Sequence, residues 1–581
     1  VNKNVKNEND KLKKENDKLK NDNEKYKKDP KNVNKDLKNE NDKLKKENDK
    51  LKKENENLKN KEPKDIDFVL LTHAHIDHSG KIPALVASGY DKPIYATEAT
   101  RRLCDIMLRD SAHIQESDAE WKNRKAKRSG KAMVVPMYTT LDAEAAIKNF
   151  VPCYYGQDYP IFENITIRFQ DAGHLLGSAS ILVTLTEDGE TRTVLFSGDL
   201  GNVERPLIKD PEKPEAADFV IIESTYGDRL HGPKPDYVGQ LTEIIQDTFD
   251  RGGNVVIPSF AIGRTQLLLY LIRIMKEQEL IKGHPNFPVY VDSPLAVEAT
   301  EIYASPLREF FDEETLSLLD QGINPIKFEN LHLSLSSEES KQINIDMEPK
   351  VILSASGMCE AGRIRHHLKH NLWRKESTIV FVGYQSEGTL GRKLLDGVES
   401  IKIFNDDIAV NAKITEMAGI SGHSDRNQLL GWLGNMKMPP KKVFVNHGDD
   451  KVCDTFVESV REKLGFDAVA PYSGDVYDLL QESFIEVATP QRIAKKGSVK
   501  EKISAAYQNL LAAAQRLMKV VEANKYGANK DLEKFCTEKK LCMIAFFDIR
   551  NKNLIHTNTP KTKQQNVAII ACTGRVFMAS M

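Results

Sequence analysis

The sequence predicts an α/β fold between residue 65 and about residue 475, on three observations. Short apolar runs end in small or polar turns, as buried strands do: DFVLLTH, TVLFSGD, DFVIIES, NVVIPSF, PVYVDS, KVILSAS, STIVFVGY and KVFVNHG. Helical patterns such as GRTQLLLYLIRIMKEQ and AGRIRHHLKHNLWR separate several of these runs, which favours layers of strands and helices. The chain has 581 residues and is 40% hydrophobic, enough for two or three domains. Ligands of such folds bind at strand ends.

The first 62 residues consist almost wholly of Lys, Asn, Glu, Asp and Leu, in repeats such as ENDKLKK. Leucines recur every seven residues, but position a of this heptad is asparagine, and a column of buried asparagines weakens a coiled coil. The leucines are Leu12, Leu19, Leu37, Leu44, Leu51 and Leu58. We predict disorder or a fraying helix here, with a weak coiled coil as the alternative. Towards the other end, KEKISAAYQNLLAAAQRLMKVVEAN predicts an amphipathic helix, and VAIIACTG a strand without an assigned role.

Charge and cysteine content narrow the class of protein. The 83 Lys and Arg nearly balance the 85 Asp and Glu, for a net charge of −2, so affinity for a nucleic acid must come from a local patch. The seven cysteines are scattered and form no CxxC pair, which indicates a reducing compartment. No apolar run of eighteen residues and no signal peptide is present. We therefore expect a cytoplasmic protein without membrane association.

The strongest chemical signal is LTHAHIDHSG, in which His73, His75, Asp77 and His78 follow a strand directly. A strand end and a tight turn send alternate side chains into one concavity, so that His73 and His75 can face one cation while Asp77 and His78 face another. Two later runs end in the same way, with His174 in QDAGHLLGS and Asp199 in FSGDLGN. A carboxylate such as Asp199 can bridge two cations. The pattern predicts a two-metal site.

The complete pattern resembles the metallo-β-lactamase superfamily, in which HxHxDH is followed by a distant His, a distant Asp and a final His. DFVIIESTYGDRLH, PSFAIGRTQ, SASGM, GYQSEGTLGR, SGHSD and VNHG resemble the successive signatures of its β-CASP nucleases, which include ribonuclease J and the pre-mRNA cleavage subunit. The resemblance implies an αββα sandwich with an inserted β-CASP domain built on a parallel sheet. We place the sandwich at 63–205 and 410–475, the β-CASP domain at 206–409, and a helical extension and tail at 476–581.

The resemblance also implies two Zn²⁺ per chain and a set of site residues. One zinc would be held by His73, His75, His174 and Asp199, and the other by Asp77, His78, Asp199 and His447. The catalytic residues would be Asp77, Glu223 and His423, with His423 protonating the leaving group and hydrogen-bonded to Glu223. Hydrolysis of a phosphodiester needs these roles: a hydroxide formed at neutral pH, neutralised charge on phosphorus and an acid for the departing oxygen.

His447 at the final motif is typical of the RNA-directed branch of the family, and we expect single-stranded RNA as the partner. The glycine- and serine-rich turns favour phosphate binding through backbone N–H groups, with arginines neutralising further phosphates. The predicted phosphate-binding residues are Ser356, Gly357, Gly388, Arg264, Arg363 and Arg392. His366 and His370 imitate a zincin helix, but no glutamate follows His366, so we do not assign them a metal. His113 and His231 have no ligand spacing, and we expect surface or structural roles.

Family members begin with first strands of the sandwich that have no counterpart before Lys64. Loss of support behind metal ligands lowers metal affinity or activity about ten- to a hundred-fold. We therefore predict a zinc-dependent ribonuclease, endo- or exonucleolytic, with two alternatives. One is a catalytically impaired RNA-binding or scaffold protein, and the other is a related DNA or small-molecule metallo-hydrolase. Whether the chain forms a homodimer stays open.

Overall fold

The computed structural model describes residues 63–129, 133–187, 189–232, 235–305, 307–417, 421–488, 566–571 and 575–580. The repeat at 1–62 and the amphipathic helix predicted near residue 510 lie outside these ranges, so neither prediction is tested. Among the helices that these ranges contain, none combines the length and the apolar character needed to cross a lipid bilayer.

The first part of the chain builds a small parallel sheet with helices on one side. Its elements are β1 (Val69–Leu70), α1 (Ile76–Ser79), α2 (Ile82–Ala87), β2 (Ile94–Thr97), α3 (Glu98–Ser129), α4 (Thr140–Lys148) and β3 (Phe150–Cys153). The strand order is β1-β2-β3, and in the described part of the chain β1 is hydrogen-bonded to β2 alone. Thr139 caps α4 because its side chain accepts from the N–H of Asp142, whose carboxylate in turn accepts from the N–H of Thr139.

A seven-stranded sheet forms the second layer, drawn from two distant parts of the chain. Its first five strands are β4 (Asp158–Phe162), β5 (Ile165–Asp171), β6 (Ala179–Glu187), β7 (Glu190–Phe196) and β8 (Phe219–Glu223). The sheet order is β18-β17-β8-β7-β6-β5-β4, where β17 (Lys442–Asn446) and β18 (Ala468–Val469) return after the intervening segment. Strands β4 to β7 pair antiparallel, and β7, β8, β17 and β18 pair parallel.

The segment between β8 and β17 contains a six-stranded parallel sheet of its own. Its elements are α5 (Tyr237–Asp250), β9 (Val255–Pro258), α6 (Arg264–Glu277), β10 (Val289–Val291), α7 (Pro294–Tyr303), α8 (Glu313–Asp320), β11 (Leu331–Leu333), α9 (Ser337–Ile345), β12 (Val351–Ser354), α10 (Ile364–Asn371), β13 (Thr378–Phe381), α11 (Leu390–Leu395) and β16 (Lys413–Glu416), with the β14 (Ser400–Ile403) and β15 (Asp406–Ala409) hairpin. The order is β11-β10-β12-β9-β13-β16, and every pair is parallel.

The remaining described elements follow this segment. They are the short 3-10 turns Pro63–Asp65 and Arg308–Phe310, α12 (Arg426–Gly434), α13 (Asp450–Leu464), the β19 (Val476–Asp478) and β20 (Ser483–Glu486) hairpin, and the antiparallel pair β21 (Asn566–Ala571) and β22 (Arg575–Ser580). The VAIIACTG run thus contains a strand, as predicted.

Alternation of apolar residues explains how the layers stack. Phe68 and Leu70 point into the core between the two sheets, whereas Val69 and Leu71 point to the core beneath α2, α3 and α4. The outer face of the seven-stranded sheet packs against α12 and α13, for example Val220 against a core that includes Phe456. The order is therefore helices, sheet, sheet, helices, which is the predicted αββα sandwich.

The strands predicted from the eight apolar runs and the helices predicted at α6 and α10 are confirmed. The parallel sheet carries helices on both faces, because residues such as Val255 and Ile257 face one apolar core and Val256 the other. Strand β8 belongs to the seven-stranded sheet and β16 to the six-stranded one, so the chain passes between the sheets after Glu223 and after Glu416. The predicted domain limits at 205 and 409 fall before these strands and stay predictions.

Candidate metal centre

The predicted metal ligands lie at one edge of the sandwich because their strands end there. Strands β5, β7, β8 and β17 run in the same direction, and each is followed by site residues: His174, Asp199, the terminal Glu223 and His447. His73 follows β1, where the carbonyl of Thr72 accepts from the N–H of Ala179 at 2.8 Å. That hydrogen bond joins the two sheets beside the cluster.

The loops after β5 and β7 approach each other too closely for side chains. A Cβ on Gly201 would lie 1.7 Å from the carbonyl oxygen of Gly173, and Gly173 itself has φ +61°. The N–H of Gly201 donates to the carbonyl of Ala172 at 2.8 Å. Glycine at these two positions allows His174 and Asp199 to reach a common centre.

Four donor atoms form the first group, from His73, His75, His174 and Asp199, and all lie within 4.8 Å of one another. Nδ1 of His75 is 3.1 Å from Nε2 of His73 and 3.1 Å from Nε2 of His174. Oδ2 of Asp199 is 3.4 Å from Nε2 of His73 and 3.7 Å from Nε2 of His174. A tetrahedral zinc with bonds of about 2.0–2.1 Å separates its ligand atoms by about 3.3 Å, so these spacings fit one.

A second group lies beside the first and contains Asp77, His78 and His447, with Asp199 between the two. Nε2 of His447 is 3.9 Å from Oδ2 of Asp77, and Nδ1 of His447 is 3.5 Å from Oδ1 of Asp199. Oδ2 of Asp199 is also 3.3 Å from Nε2 of His78. Asp199 thus directs Oδ2 to His73, His78 and His174 and Oδ1 to His447, as a bridging carboxylate would.

Protonation states in this centre suit cation binding. Burial holds the pKa of His73 and of His174 well below the usual value, and burial lowers that of His75 to about 4. These imidazoles are therefore neutral at pH 7 with a lone pair to give. Burial alone would raise the pKa of Asp199, but its interactions with His447 and His78 outweigh burial and hold the pKa well below the usual range. Burial also disfavours charge on His78, but Asp199 raises its pKa on balance.

Two atoms of the cluster show that the residues present fit a metal. Nε2 of His78 and Oδ1 of Asp199 are buried and have no hydrogen-bond partner. Buried polar atoms without a partner are costly, and a coordinated cation would satisfy both. The nitrogen and carboxylate donors are those that Zn²⁺ takes.

His423 and Glu223 lie at the rim of the cluster. Nδ1 of His423 is 3.1 Å and 3.2 Å from the two carboxylate oxygens of Glu223, and 4.0 Å from Oδ2 of Asp199. Glu223 is 1% exposed and also accepts from the N–H groups of Leu200 and Thr225. Burial lowers the pKa of His423, but the charge of Glu223 outweighs it and raises the pKa to about 9. His423 therefore carries a proton at neutral pH.

Three further residues, which the sequence did not indicate, support this metal centre. Thr225 Oγ1 is 3.1 Å from Nδ1 of His447 and donates to the carbonyl of the same residue at 3.2 Å. Nε2 of His231, for which we expected a surface or structural role, is 2.8 Å from the carbonyl of His423. Arg205 donates through Nη1 to the carbonyls of His174 at 3.0 Å and Gly422 at 3.3 Å. None of the three has a local ligand spacing, so no motif could have revealed them.

The turns after β12 and β13 lie at the carboxyl edge of the parallel sheet. Gln385 holds them together, because its amide donates to the carbonyls of Gly357 and Gly383, each at 3.0 Å. Gly357 packs on the ring of Phe260, which a Cβ would approach to 3.3 Å, and Gly388 has φ +84°. The side chain of Ser356 bonds within its own turn, to Ala361.

The three predicted phosphate-binding arginines occupy different surroundings. Nη1 of Arg363 donates to Asp292 at 2.7 Å and Nη2 to the carbonyl of Leu335 at 2.6 Å. Arg392, on α11, is paired with Asp396, the residue that caps the end of this helix. The roles of Arg363 and Arg392 in phosphate binding stay predictions, and the contacts that these two arginines make with acidic and backbone acceptors do not favour them. Arg264 is the first residue of α6, and burial with the neighbouring charge of Arg205 lowers its pKa to about 9.

The histidines of α10 make ordinary side-chain contacts. Nε2 of His367 is 2.6 Å from Oδ2 of the buried Asp292, and its Nδ1 is 3.0 Å from Oδ1 of Asn344. The ring of His366 lies against Phe404. We assign this helix to packing of the parallel-sheet domain.

An αββα sandwich with a His and Asp cluster at its strand ends defines a metal-dependent hydrolase of the metallo-β-lactamase type. The chain belongs to the metallo-β-lactamase superfamily, in the branch with an inserted Beta-Casp domain. The model of the Metallo-beta-lactamase superfamily matches residues 42–259, and that of the Beta-Casp domain matches 265–394. The model of the Zn-dependent metallo-hydrolase RNA specificity domain matches 407–471, a range that contains both His423 and His447.

Curated relatives agree with this family. A protein of Thermus thermophilus named as a ribonuclease is 37% identical over 392 residues, which are 67% of this chain and 83% of that protein. Transcription termination factor FttA of Methanocaldococcus jannaschii is 34% identical over 71% of this chain, which spans 63% of the factor. An RNase J-like protein of the same organism is 31% identical over 71% of this chain and 89% of its own length.

Proposed function

We propose that this chain is a zinc-dependent ribonuclease that hydrolyses phosphodiester bonds of single-stranded RNA. One observation carries the proposal: two groups of metal donors share Asp199, and a protonated His423 lies 4.0 Å from that same carboxylate. The resemblance of residues 407–471 to an RNA specificity domain and the ribonuclease names of two relatives support RNA as the substrate.

The two groups would each hold one zinc. His73, His75, His174 and Asp199 would hold the first, and Asp77, His78, Asp199 and His447 the second. When bound, the ions would supply a hydroxide from water at neutral pH and neutralise charge on the reacting phosphate. Asp199 would set the spacing of the two positions, because its two oxygens face different histidines.

His423 would act as the general acid. It is protonated at neutral pH and lies beside the metal donors, so it can give its proton to the oxygen that leaves phosphorus. Glu223 would keep that proton on His423 and orient the ring through both carboxylate oxygens. Two backbone N–H groups hold Glu223 in place, so the orientation is rigid. Asp77 would combine metal binding with the positioning of the water.

RNA would enter between the sandwich and the parallel-sheet domain. The turns at Ser356, Gly357 and Gly388 follow parallel strands that end at one edge, where backbone N–H groups can meet phosphates. Arg264 would supply positive charge at the start of α6. The reducing cytoplasm remains the compartment that we propose, and the free thiols of Cys104, Cys153, Cys359 and Cys453 support it.

Cleavage of end-labelled single-stranded RNA by the purified full chain tests the proposal. We expect cleavage that a chelator abolishes and added Zn²⁺ restores, and that Asp199→Ala lowers by several orders of magnitude. Asp320→Ala, at an exposed helix end, serves as the control and should cut like the wild type. DNA of the same sequence should be cut far more slowly.

Each alternative predicts a different outcome of the same assay. Equal rates on DNA, or cleavage of small esters alone, would identify the related DNA or small-molecule hydrolase. RNA binding without cleavage by a folded, zinc-loaded chain would identify the impaired RNA-binding or scaffold protein.

A further inference from the structure

A second basic centre lies beside the candidate metal centre, around Arg205 and Arg264. Arg205 follows the loop of Asp199, and its Nη1 bonds to the carbonyls of His174 and Gly422. Arg264 begins α6, and the charges of the two arginines repel each other. The centre therefore combines one element of the sandwich with one element of the parallel-sheet domain.

The contacts that surround this centre place it at the junction of three loops. The N–H of Leu176, two residues beyond His174, donates to the hydroxyl of Tyr303 at 3.4 Å. A Cβ on Gly263, which precedes Arg264, would lie 3.0 Å from the side chain of Leu175 and 3.8 Å from that hydroxyl. The start of α6 therefore packs directly on the loop of His174.

Arg205 has an unused donor in this environment. Its Nε is buried and has no hydrogen-bond partner. In the described part of the chain Arg205 forms no ion pair, and its Nη1 donates to two backbone carbonyls. A guanidinium without a carboxylate, close to a second guanidinium, favours an anion, because a planar fork of donors matches phosphate oxygens.

We propose that Arg205 and Arg264 form a phosphate subsite that binds the RNA phosphate next to the one that is cleaved. The choice of an RNA chain as the ligand rests on the proposed function. The subsite adds to that function the place where a neighbouring phosphodiester is held. Its position against the carbonyls of His174 and Gly422 puts that phosphate within one nucleotide of the metal donors. It would fix the register of the strand, whereas the metal donors act on the reacting phosphate.

Salt-dependent RNA binding tests the subsite. Affinity of fluorescently end-labelled single-stranded RNA would be measured by anisotropy at several salt concentrations, on metal-stripped protein so that the RNA stays intact. Arg264→Gln should bind about tenfold more weakly at low salt, because a contact to a charged group is lost. The slope of log affinity against log salt should decrease in magnitude by about 0.7, the value for one phosphate contact on a single strand. Arg205→Lys removes the unused Nε donor, and this variant should also bind the RNA more weakly than the wild type.

Arg124→Gln is the matched control. Arg124 is exposed on α3, 26 residues after Glu98, or about 39 Å along the helix from its start. It should leave the affinity and the salt slope unchanged. A small phosphodiester, bis(4-nitrophenyl) phosphate, reports on the zinc-loaded metal centre alone, since it has no second phosphate. The loss in Arg264→Gln should be several-fold larger on RNA than on this small diester, and the zinc content of the variant should match that of the wild type.

Each result separates the subsite from the proposed function. An unchanged affinity and salt slope in Arg264→Gln would overturn the subsite, as would a wild type that binds no RNA. Equal losses on RNA and on the small diester would also overturn it, because the arginines would then only maintain the metal loops. A wild type that binds RNA with the predicted dependence but never cuts it would keep the subsite and refute the ribonuclease.

Discussion

Nδ1 of His423 contacts both carboxylate oxygens of Glu223, at 3.1 Å and 3.2 Å, across 200 residues of sequence. The contact joins the loop before α12 to the end of β8 and places a protonated imidazole at the rim of the metal cluster. Since the carboxylate stabilises the imidazolium, the pair defines the pH range in which an acid is present.

The first prediction concerns this pH range. With the pKa of His423 raised to about 9, wild-type cleavage should persist up to about pH 9 and fall above it, because a neutral imidazole cannot donate. Glu223→Gln removes the charge that outweighs burial, so the alkaline limb of the rate profile should move to lower pH. Asp228→Asn changes a nearby half-buried acid that is paired with Arg229, and it should leave the limb in place. An unmoved limb in Glu223→Gln would remove His423 from the acid role.

A second prediction concerns the glycines that bring His174 and Asp199 together. Gly201→Ala would place a Cβ 1.7 Å from the carbonyl oxygen of Gly173, so the two metal loops must separate. We expect a loss of about 3 kcal/mol or more in the free energy of unfolding, with loss of bound zinc. Gly431→Ala, within α12 and without a neighbour inside 4 Å, should instead stabilise by about 0.5–1 kcal/mol. Denaturant unfolding of both variants measures the contrast, which equal stabilities would contradict.

The third prediction concerns Thr225, which supports His447. The O–H of Thr225 donates to the carbonyl of His447, so Nδ1 of the His447 ring must donate to the hydroxyl oxygen of Thr225. This tautomer leaves the lone pair of Nε2 facing Asp77. Thr225→Val keeps the shape and removes both bonds, and we expect zinc affinity at the second position to fall about ten- to a hundred-fold. Competition with a chromophoric chelator measures it. Thr191→Val, on an exposed strand pair, is the control, and equal affinities in both variants would contradict the role of Thr225.

A fourth prediction concerns Asp171, which lies at the end of β5 and is 5% exposed. Burial raises its pKa to about 8, although the N–H of Gly173 donates to it. The unfolded chain releases this proton near pH 4, so the native state binds more protons between about pH 4 and 8. Stability from this group is present below pH 4 and is lost as pH rises through 8. The stability difference between wild type and Asp171→Asn, measured in urea at equal zinc, should therefore decline over that range, and a constant difference would contradict the raised pKa.

Local sequence was sufficient to predict the strands and four of the seven candidate metal ligands. HxHxDH spans six residues just after one strand, so its spacing alone predicts convergence of these side chains. The apolar runs are long enough to identify buried strands. The αββα layers and the parallel sheet were predicted from the resemblance to the metallo-β-lactamase and β-CASP family, because no local pattern specifies which strands pair. The structure shows that β8 is hydrogen-bonded to β17, whose residues follow more than 200 positions later.

Contacts between distant loops could not be predicted in this way. Arg205 reaches a carbonyl at Gly422, 217 residues away, and Thr225 reaches His447 across 222 residues. For Arg363 the local sequence suggested a different partner from the one in the structure. Its position beside a glycine-rich turn favoured binding of a phosphate, whereas its guanidinium donates to Asp292, 71 residues earlier in the chain. Which partner an arginine takes depends on tertiary packing, and the sequence around it does not specify that.

Zinc titration of metal-stripped protein, followed by the rate of cleavage of end-labelled single-stranded RNA, tests the central claim most directly. If two groups of donors share Asp199, the rate should be near zero without metal and should rise to a plateau at about two equivalents per chain. A folded chain that binds zinc and cuts no RNA at any point of the titration would contradict the ribonuclease, and a plateau at one equivalent would contradict the shared carboxylate.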